Sequence, residues 1–373
     1  MGIRMTEGKF KGLMRLSNSK GVIAAAAMDQ RGSLQKSIAK SRGVDAKQIT
    51  RAQMEEFKVA VSKILTPYAT AILLDPEFGL PAVKVRAKNA GVLLAYEKTG
   101  YDADKPGRLP DLLDLESVAR LKQKGADAIK ILLYYTPDEK PEINDHKHAW
   151  VERIGAECVA HDIPFFLEFV SYDPAGGALS PDRAEDSSVL KSVGFKGGGD
   201  ERGIEYAKRK PKIVTESMRE FSKPQYHVDI LKVEIPVNMA FVQGSKANKT
   251  GQAAYTREEA KKLFRQAADV ATKPFIYLSA GVDDDVYRES LELAIEAGTN
   301  WAGVLCGRAT WKEGIPVYGK DGVQALEKWL LDRGVKNIQA LNEVINRGAH
   351  AWWDKYGGRD KIEVVNQKQM VAI

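Results

Sequence analysis

Cysteine is scarce in this chain of 373 residues: Cys158 and Cys306 are the only two. Two thiols cannot build a disulfide framework, which fits a reducing compartment and makes both of them packing residues. Histidine is scarce too, with five residues: His146, His148, His161, His227 and His350. Three of these fall in helices or helix starts, and His161 and His227 precede strands. No trio can converge at one end of a fold, so an open zinc site is not expected and no cofactor is implied. Long apolar runs are missing as well. VIAAAAM stops far short of the roughly 18 residues a membrane helix needs, and the N-terminus lacks a cleavable apolar core. A cytoplasmic protein without membrane contact is the expectation. The net charge is only +6, with Lys and Arg interleaved among Asp and Glu. No basic arm or zinc-finger spacing appears, so nucleic acid is not an expected partner and small anions are.

What is present is alternation. Short runs rich in Val, Ile, Leu and Phe recur at 22–30, 69–77, 91–97, 128–135, 164–173, 230–238, 274–282 and 301–308. Between or after them lie segments of helical period, such as TRAQMEEFKVAVSKIL and TREEAKKLFRQAADVA. Near-continuous apolar strands alternating with helices predict a parallel sheet covered by helices, and eight units predict a (β/α)8 TIM barrel of the α/β class. An open Rossmann sheet would need a glycine-rich turn after an early strand, whereas the first strand runs into MDQRGSL. The chain reads as a single domain, 1–373, with the barrel over about 20–334. Added to it are an N-terminal segment, a long insertion at 174–203 after the fifth strand, and a C-terminal helical extension over 335–373. The insertion, polar and glycine-rich, has the character of a lid, an interface or a disordered segment. Trp352 and Trp353 are expected to dock an amphipathic helix on the barrel or on another subunit, and a homo-oligomer is expected.

Charges inside three strands carry the functional reading. Side chains alternate between the faces of a strand, so in AIKILLYY Lys130 shares a face with Leu132 and Tyr134. In PFFLEFVSYD Glu168 shares one with Phe166 and Val170, and in ILKVEIPVN Lys232 and Glu234 lie opposite Leu231, Val233 and Ile235. If the apolar faces meet the helices, two lysines and two glutamates meet in the lumen. Structural ion pairs are the plainer explanation, but buried pairs often gain nothing over apolar packing. A cluster of them points instead to chemistry. A desolvated lysine beside a second ammonium loses its proton more readily and becomes a carbonyl nucleophile, the requirement for Schiff-base catalysis. A neighbouring carboxylate such as Glu168 would move the protons. On this argument Lys130 and Lys232 are interchangeable.

The rims add ligands. YLSAGVDDD and LCGRATW place Ser279, Gly281, Gly307 and Arg308 at the ends of the last two strands, where barrels often bind phosphate. Asp29 and Gln30 end the first strand and are candidates for sugar hydroxyls. Asp75, Glu77 and Glu97 occupy equivalent places but could equally cap helices.

Taken in order, MDQRGSL, AIKILLYY, FFLE followed by SYD, DILKVEIPVN, YLSAGVD and GVLCGRATW resemble the class I tagatose 1,6-bisphosphate aldolase family over about residues 8–345. The resemblance implies Lys232 as the Schiff-base lysine and Glu168 as acid/base. It implies Asp29, Gln30, Lys130 and Glu234 around the substrate, and Ser279, Gly281, Gly307 and Arg308 around a phosphate. The implied reaction cleaves D-tagatose 1,6-bisphosphate to dihydroxyacetone phosphate and D-glyceraldehyde 3-phosphate. Related enzymes act on sulfofructose 1-phosphate, and a non-catalytic sugar-phosphate sensor is a further alternative.

Overall fold

The computed structural model describes residues 3–100, 105–174 and 201–371. The expected lid at 174–203 therefore lies almost wholly outside the described residues. The first strand, β1 (Ile3–Thr6), stands apart from the rest. The next eight are β2 (Ile23–Met28), β3 (Ala71–Leu74), β4 (Gly91–Ala95), β5 (Ala128–Tyr134), β6 (Phe165–Val170), β7 (Ile230–Val233), β8 (Phe275–Leu278) and β9 (Gly303–Cys306). They pair in parallel in chain order, and β9 closes on β2, which makes the predicted TIM barrel. The last strand, β10 (Ile362–Val365), returns to pair in parallel with β1.

Alternation sorts the core into two layers. Ile129, Ile131 and Leu133 of β5, Phe165, Leu167 and Phe169 of β6, and Leu231 and Val233 of β7 pack outward against the helices. Ala25, Ala27, Ala71, Leu93, Ala95, Ala128, Phe166, Ile230 and Ile276 fill the lumen. The alanines of β2, β3 and β4 leave width, while Phe166 fills the floor. Lys130, Glu168 and Lys232 stand two residues further along than Ala128, Phe166 and Ile230, one layer up on the same face.

Helix ends follow local chemistry. The helix Arg51–Leu65 opens with a reciprocal cap in which Gln53 N donates to Thr50 Oγ1 and Thr50 N donates to Gln53 Oε1, at 3.3 and 2.8 Å. Thr256 and Glu259 repeat the device at the helix Arg257–Val270. Such caps satisfy amides that the first turn leaves free.

The strands are shorter than the apolar runs suggest, chiefly at their C-terminal ends. The run 230–238 is a strand only to Val233, and Asn238 instead caps a turn by accepting from Ala240 N. Asp29, Gln30, Glu97, Glu234, Ser279, Gly281, Gly307 and Arg308 thus sit just beyond the regular ladder. There side chains take over the backbone groups that neighbouring strands no longer reach.

The C-terminal extension also differs from expectation. The amphipathic helix Val335–Gly348 ends before the tryptophans, which lie in a separate short helix, Trp352–Tyr356. Trp352 is fully buried with Leu13, Leu16, Ile23 and Ile362 at the N-terminal end of the barrel. Its amide donates to Gly21 O at 2.9 Å. Gly21 has φ +78°, and a Cβ there would lie 2.6 Å from the Trp353 ring. The tryptophans therefore plug the end of the barrel remote from the lumenal charges. Among the described residues, no helix is long and apolar enough to cross a membrane.

Candidate active site

The C-terminal mouth of the barrel opens into a cavity of about 160 Å³. Asp29, Gln30, Glu168, Lys232, Glu234, Ser279, Gly281, Gly307 and Arg308 all line it, and Lys130 is fully buried beneath. The structure thus brings together the four lumenal charges, Asp29, Gln30 and the phosphate candidates, but not Asp75 and Glu77.

Register explains the convergence. Lys232 is the direct parallel partner of Glu168, and Lys130 stands opposite Phe166. Glu168 Oε2 bridges the two ammonium groups, 2.7 Å from Lys130 Nζ and 2.8 Å from Lys232 Nζ. Lys130 Nζ also donates to Asp29 Oδ2 at 2.9 Å and to Glu97 Oε1 at 2.8 Å. Lys130 therefore faces three carboxylates. Among the described residues Lys232 has an ion pair with one.

The three carboxylates set the charge state of Lys130. Burial pushes the Lys130 pKa down, but Asp29, Glu168 and Glu97 together outweigh it and hold it well above the ordinary lysine value. Burial would raise Asp29, yet Lys130, Lys232 and Arg31 hold its carboxyl below the usual range. Glu97 goes the other way: burial raises it, and Lys130 and Arg31 offset this only in part. Lys130 is a fixed cation that donates to Asp29 and Glu97 and forms an ion pair with Glu168.

Glu234 lines the cavity beyond the end of β7. Ser171 N donates to its Oε2 at 2.7 Å, and Lys210 Nζ lies 3.1 Å from Oε1. It is held by the chain as well as offered to the cavity.

The phosphate candidates form one corner. Gly281 has φ +75°, and a Cβ there would stand 2.8 Å from Arg308 Cζ, so the missing side chain is what lets the guanidinium lie on the turn. A Cβ on Gly307 would come within 3.0 Å of Ala27 O and 3.3 Å of Gln30 Nε2. Ser279 is buried beside them. Two small residues, a hydroxyl and an arginine at neighbouring strand ends make a cradle for a tetrahedral anion.

Asp75 and Glu77 serve the scaffold. Asp75 lies 2.6 Å from Lys58 Nζ and accepts from Phe78 N, and Glu77 pairs with Arg31 at 2.7 Å. Glu97 belongs to the charged cluster. Lys58, Ser33 and Lys98 were not foreseen; the latter two line the cavity. Lys58 left a trace in the sequence, because it falls on the apolar stripe of its helix with Met54, Phe57 and Val61. No histidine lines the cavity, and among the described residues no group of three or more His, Cys, Asp or Glu is placed to hold a metal ion.

Comparison with known proteins gives the family. Residues 23–313 match the model of the DeoC/LacD family aldolases. A tagatose 1,6-diphosphate aldolase of Listeria monocytogenes serotype 4a is 49% identical over 366 residues, 98% of this chain and 100% of the relative. Tagatose 1,6-diphosphate aldolase 2 of Enterococcus faecalis is 52% identical over 353 residues, 95% and 98% of the two chains. Among solved structures, fructose-bisphosphate aldolase from Plasmodium falciparum superposes with a TM-score of 0.59 over 91% of this chain and 96% of its own. At 14% identity that likeness speaks for the fold alone. With most of the barrel matching one family model and nearly the whole length matching close relatives, the chain belongs to the DeoC/LacD family and is an aldolase.

Proposed function

We propose that this aldolase works through a Schiff base on Lys232 and cleaves a ketose 1,6-bisphosphate, D-tagatose 1,6-bisphosphate foremost, to dihydroxyacetone phosphate and D-glyceraldehyde 3-phosphate. The observation that carries the mechanism is the inequality of the two lysines. Lys130 is pinned by three carboxylates and held protonated, so it supplies charge. Lys232 lines the cavity with a single carboxylate beside it, so it can give up its proton to Glu168 and attack. The substrate reading rests on the relatives named for tagatose 1,6-diphosphate.

In this scheme the Lys232 amine adds to the C2 carbonyl. Glu168 protonates the carbinolamine hydroxyl, which leaves as water to give the iminium. The C4 hydroxyl then loses its proton, the C3–C4 bond breaks, and its electron pair flows into the iminium to give an enamine and the free aldehyde. Protonation at C3 and hydrolysis return the amine and release dihydroxyacetone phosphate. Lys130 keeps Asp29 ionised and holds Glu168 beside Lys232, and Asp29 and Gln30 hold hydroxyls. Ser279, Gly281, Gly307 and Arg308 hold the C1 phosphate, while Arg31, Ser33 and Lys98 lie along the wall formed by the loops after β2 and β4.

Borohydride reduction in the presence of dihydroxyacetone phosphate, followed by peptide mapping, tests the scheme. A stable adduct on Lys232, absent in Lys232→Met, is expected. An adduct on Lys130, or none at all, refutes it. Steady-state cleavage of tagatose 1,6-bisphosphate measured beside sulfofructose 1-phosphate decides the substrate.

A further inference from the structure

The helix Arg51–Leu65 covers the outside of β2 and β3 with Met54, Phe57, Val61 and Leu65 buried. Lys58 lies in this apolar contact and is fully buried. A buried ammonium persists only where acceptors replace its water. Lys58 Nζ donates to Met28 O and Gln30 O, both at 2.7 Å, and lies 2.6 Å from Asp75 Oδ2. Two of its donors meet carbonyls, and the carboxylate supplies the opposite charge.

The acceptors have a common address. Met28 is the last residue of β2 and pairs with Leu74, after which the ladder to β3 stops. Residues 28 and 30 flank Asp29. One ammonium on both carbonyls therefore fixes the peptide between Met28 and Asp29 and the one that follows Gln30, bracketing the two residues. From within the barrel, the Asp29 carboxylate meets Lys130 at 2.9 Å.

We propose that Lys58 is a positioning residue: from outside the barrel it clamps the backbone around Asp29, and so aims Asp29 and Gln30 into the cavity. The proposal rests on the functional reading above only in treating that cavity as the active site. The two carbonyls would equally satisfy the buried ammonium of a lysine that serves stability alone, so activity and stability have to be read separately.

The test separates these roles. Lys58→Met alone leaves Asp75 buried without its partner and can fail to fold. Lys58→Met/Asp75→Asn removes both charges, and the carboxamide oxygen of the new asparagine can still accept from Phe78 N. This double variant should melt within a few degrees of the parent yet lose at least about tenfold in kcat, with a smaller change in KM. Its Asp29 carboxyl, followed by carbon-13 NMR titration, should titrate higher than in the parent as its contact with Lys130 loosens. Arg31, Lys130 and Lys232 around that carboxyl are untouched, and the charge that Lys58 itself presents to Asp29 is removed together with that of its partner Asp75, which leaves the net local charge unchanged. Parental kcat together with parental stability, or an unmoved Asp29 titration, overturns the proposal. Failure of the parent to form a borohydride adduct would sink the Schiff-base reading instead, and the Asp29 titration would still decide the role of Lys58.

Discussion

Lys130→Met is the most revealing perturbation of the charged cluster. Methionine keeps most of the volume of the side chain but removes the cation that Asp29, Glu97 and Glu168 share at 2.7–2.9 Å. Side-chain exposures of 12%, 5% and 8% leave these carboxylates little water in exchange. Removing one partner of a buried ion pair costs about 3–5 kcal/mol. Unfolding entropy of about 2.1 cal/mol/K per residue, summed over this chain, is roughly 0.8 kcal/mol/K, so Tm should fall by about 4–6 °C. The fall should depend on pH. In the parent, the folded pKa of Asp29 lies below its unfolded value, so its stabilisation is present above that unfolded value and is lost only as pH falls through the folded one. It does not change between pH 5.5 and 8. Without Lys130, burial dominates Asp29 and adds to the rise already present in Glu97. Folded carboxyls with raised pKa bind more protons than unfolded ones, so stability drains away as pH climbs through that window. Scanning calorimetry at pH 5.5 and 8 should show the larger deficit at pH 8. A shift under about 2 °C at pH 8, or a deficit as large at pH 5.5, would refute the account of Lys130 as the shared counter-charge.

Two further outcomes follow from positions at opposite ends of the barrel. Gly281→Ala puts a methyl 2.8 Å from Arg308 Cζ at φ +75°, so the guanidinium must leave its seat. KM for the bisphosphate should rise about tenfold or more with a smaller change in kcat, and an unchanged KM would remove Arg308 from the phosphate corner. Trp352→Ala empties the plug at the far end and should cost about 3–5 kcal/mol, read as a lower Tm. Its kcat at 25 °C should stay within about twofold of the parent, since Trp352 lies at the opposite end of the barrel from the cavity; a larger loss would show that the plug communicates with the site.

Much of the site could be read along the chain because a strand has a period of two. Ala128 and Lys130, Phe166 and Glu168, and Ile230 and Lys232 each follow that period, and the lumen received all six. Strand ends were harder to read. Apolar runs continue past the ladder into Pro236 and Val237, which are apolar without being paired in a strand. Lys58 escaped notice because a lone lysine on an apolar stripe usually reaches back to water, whereas here Met28 O and Gln30 O receive it.

The sequence by itself determined the eightfold alternation, the inward face of β5, β6 and β7, and the small and cationic residues at the ends of β8 and β9. These are local properties, carried by side-chain period and by the residue types that turns accept. Only the tertiary structure decided which lysine is the counter-charge. Asp29 leaves a strand remote from Lys130 in the chain and Glu97 leaves its neighbour, and it is the assembled barrel, with its stagger between strands, that brings both into ion pairs with Lys130 while Lys232 pairs with Glu168.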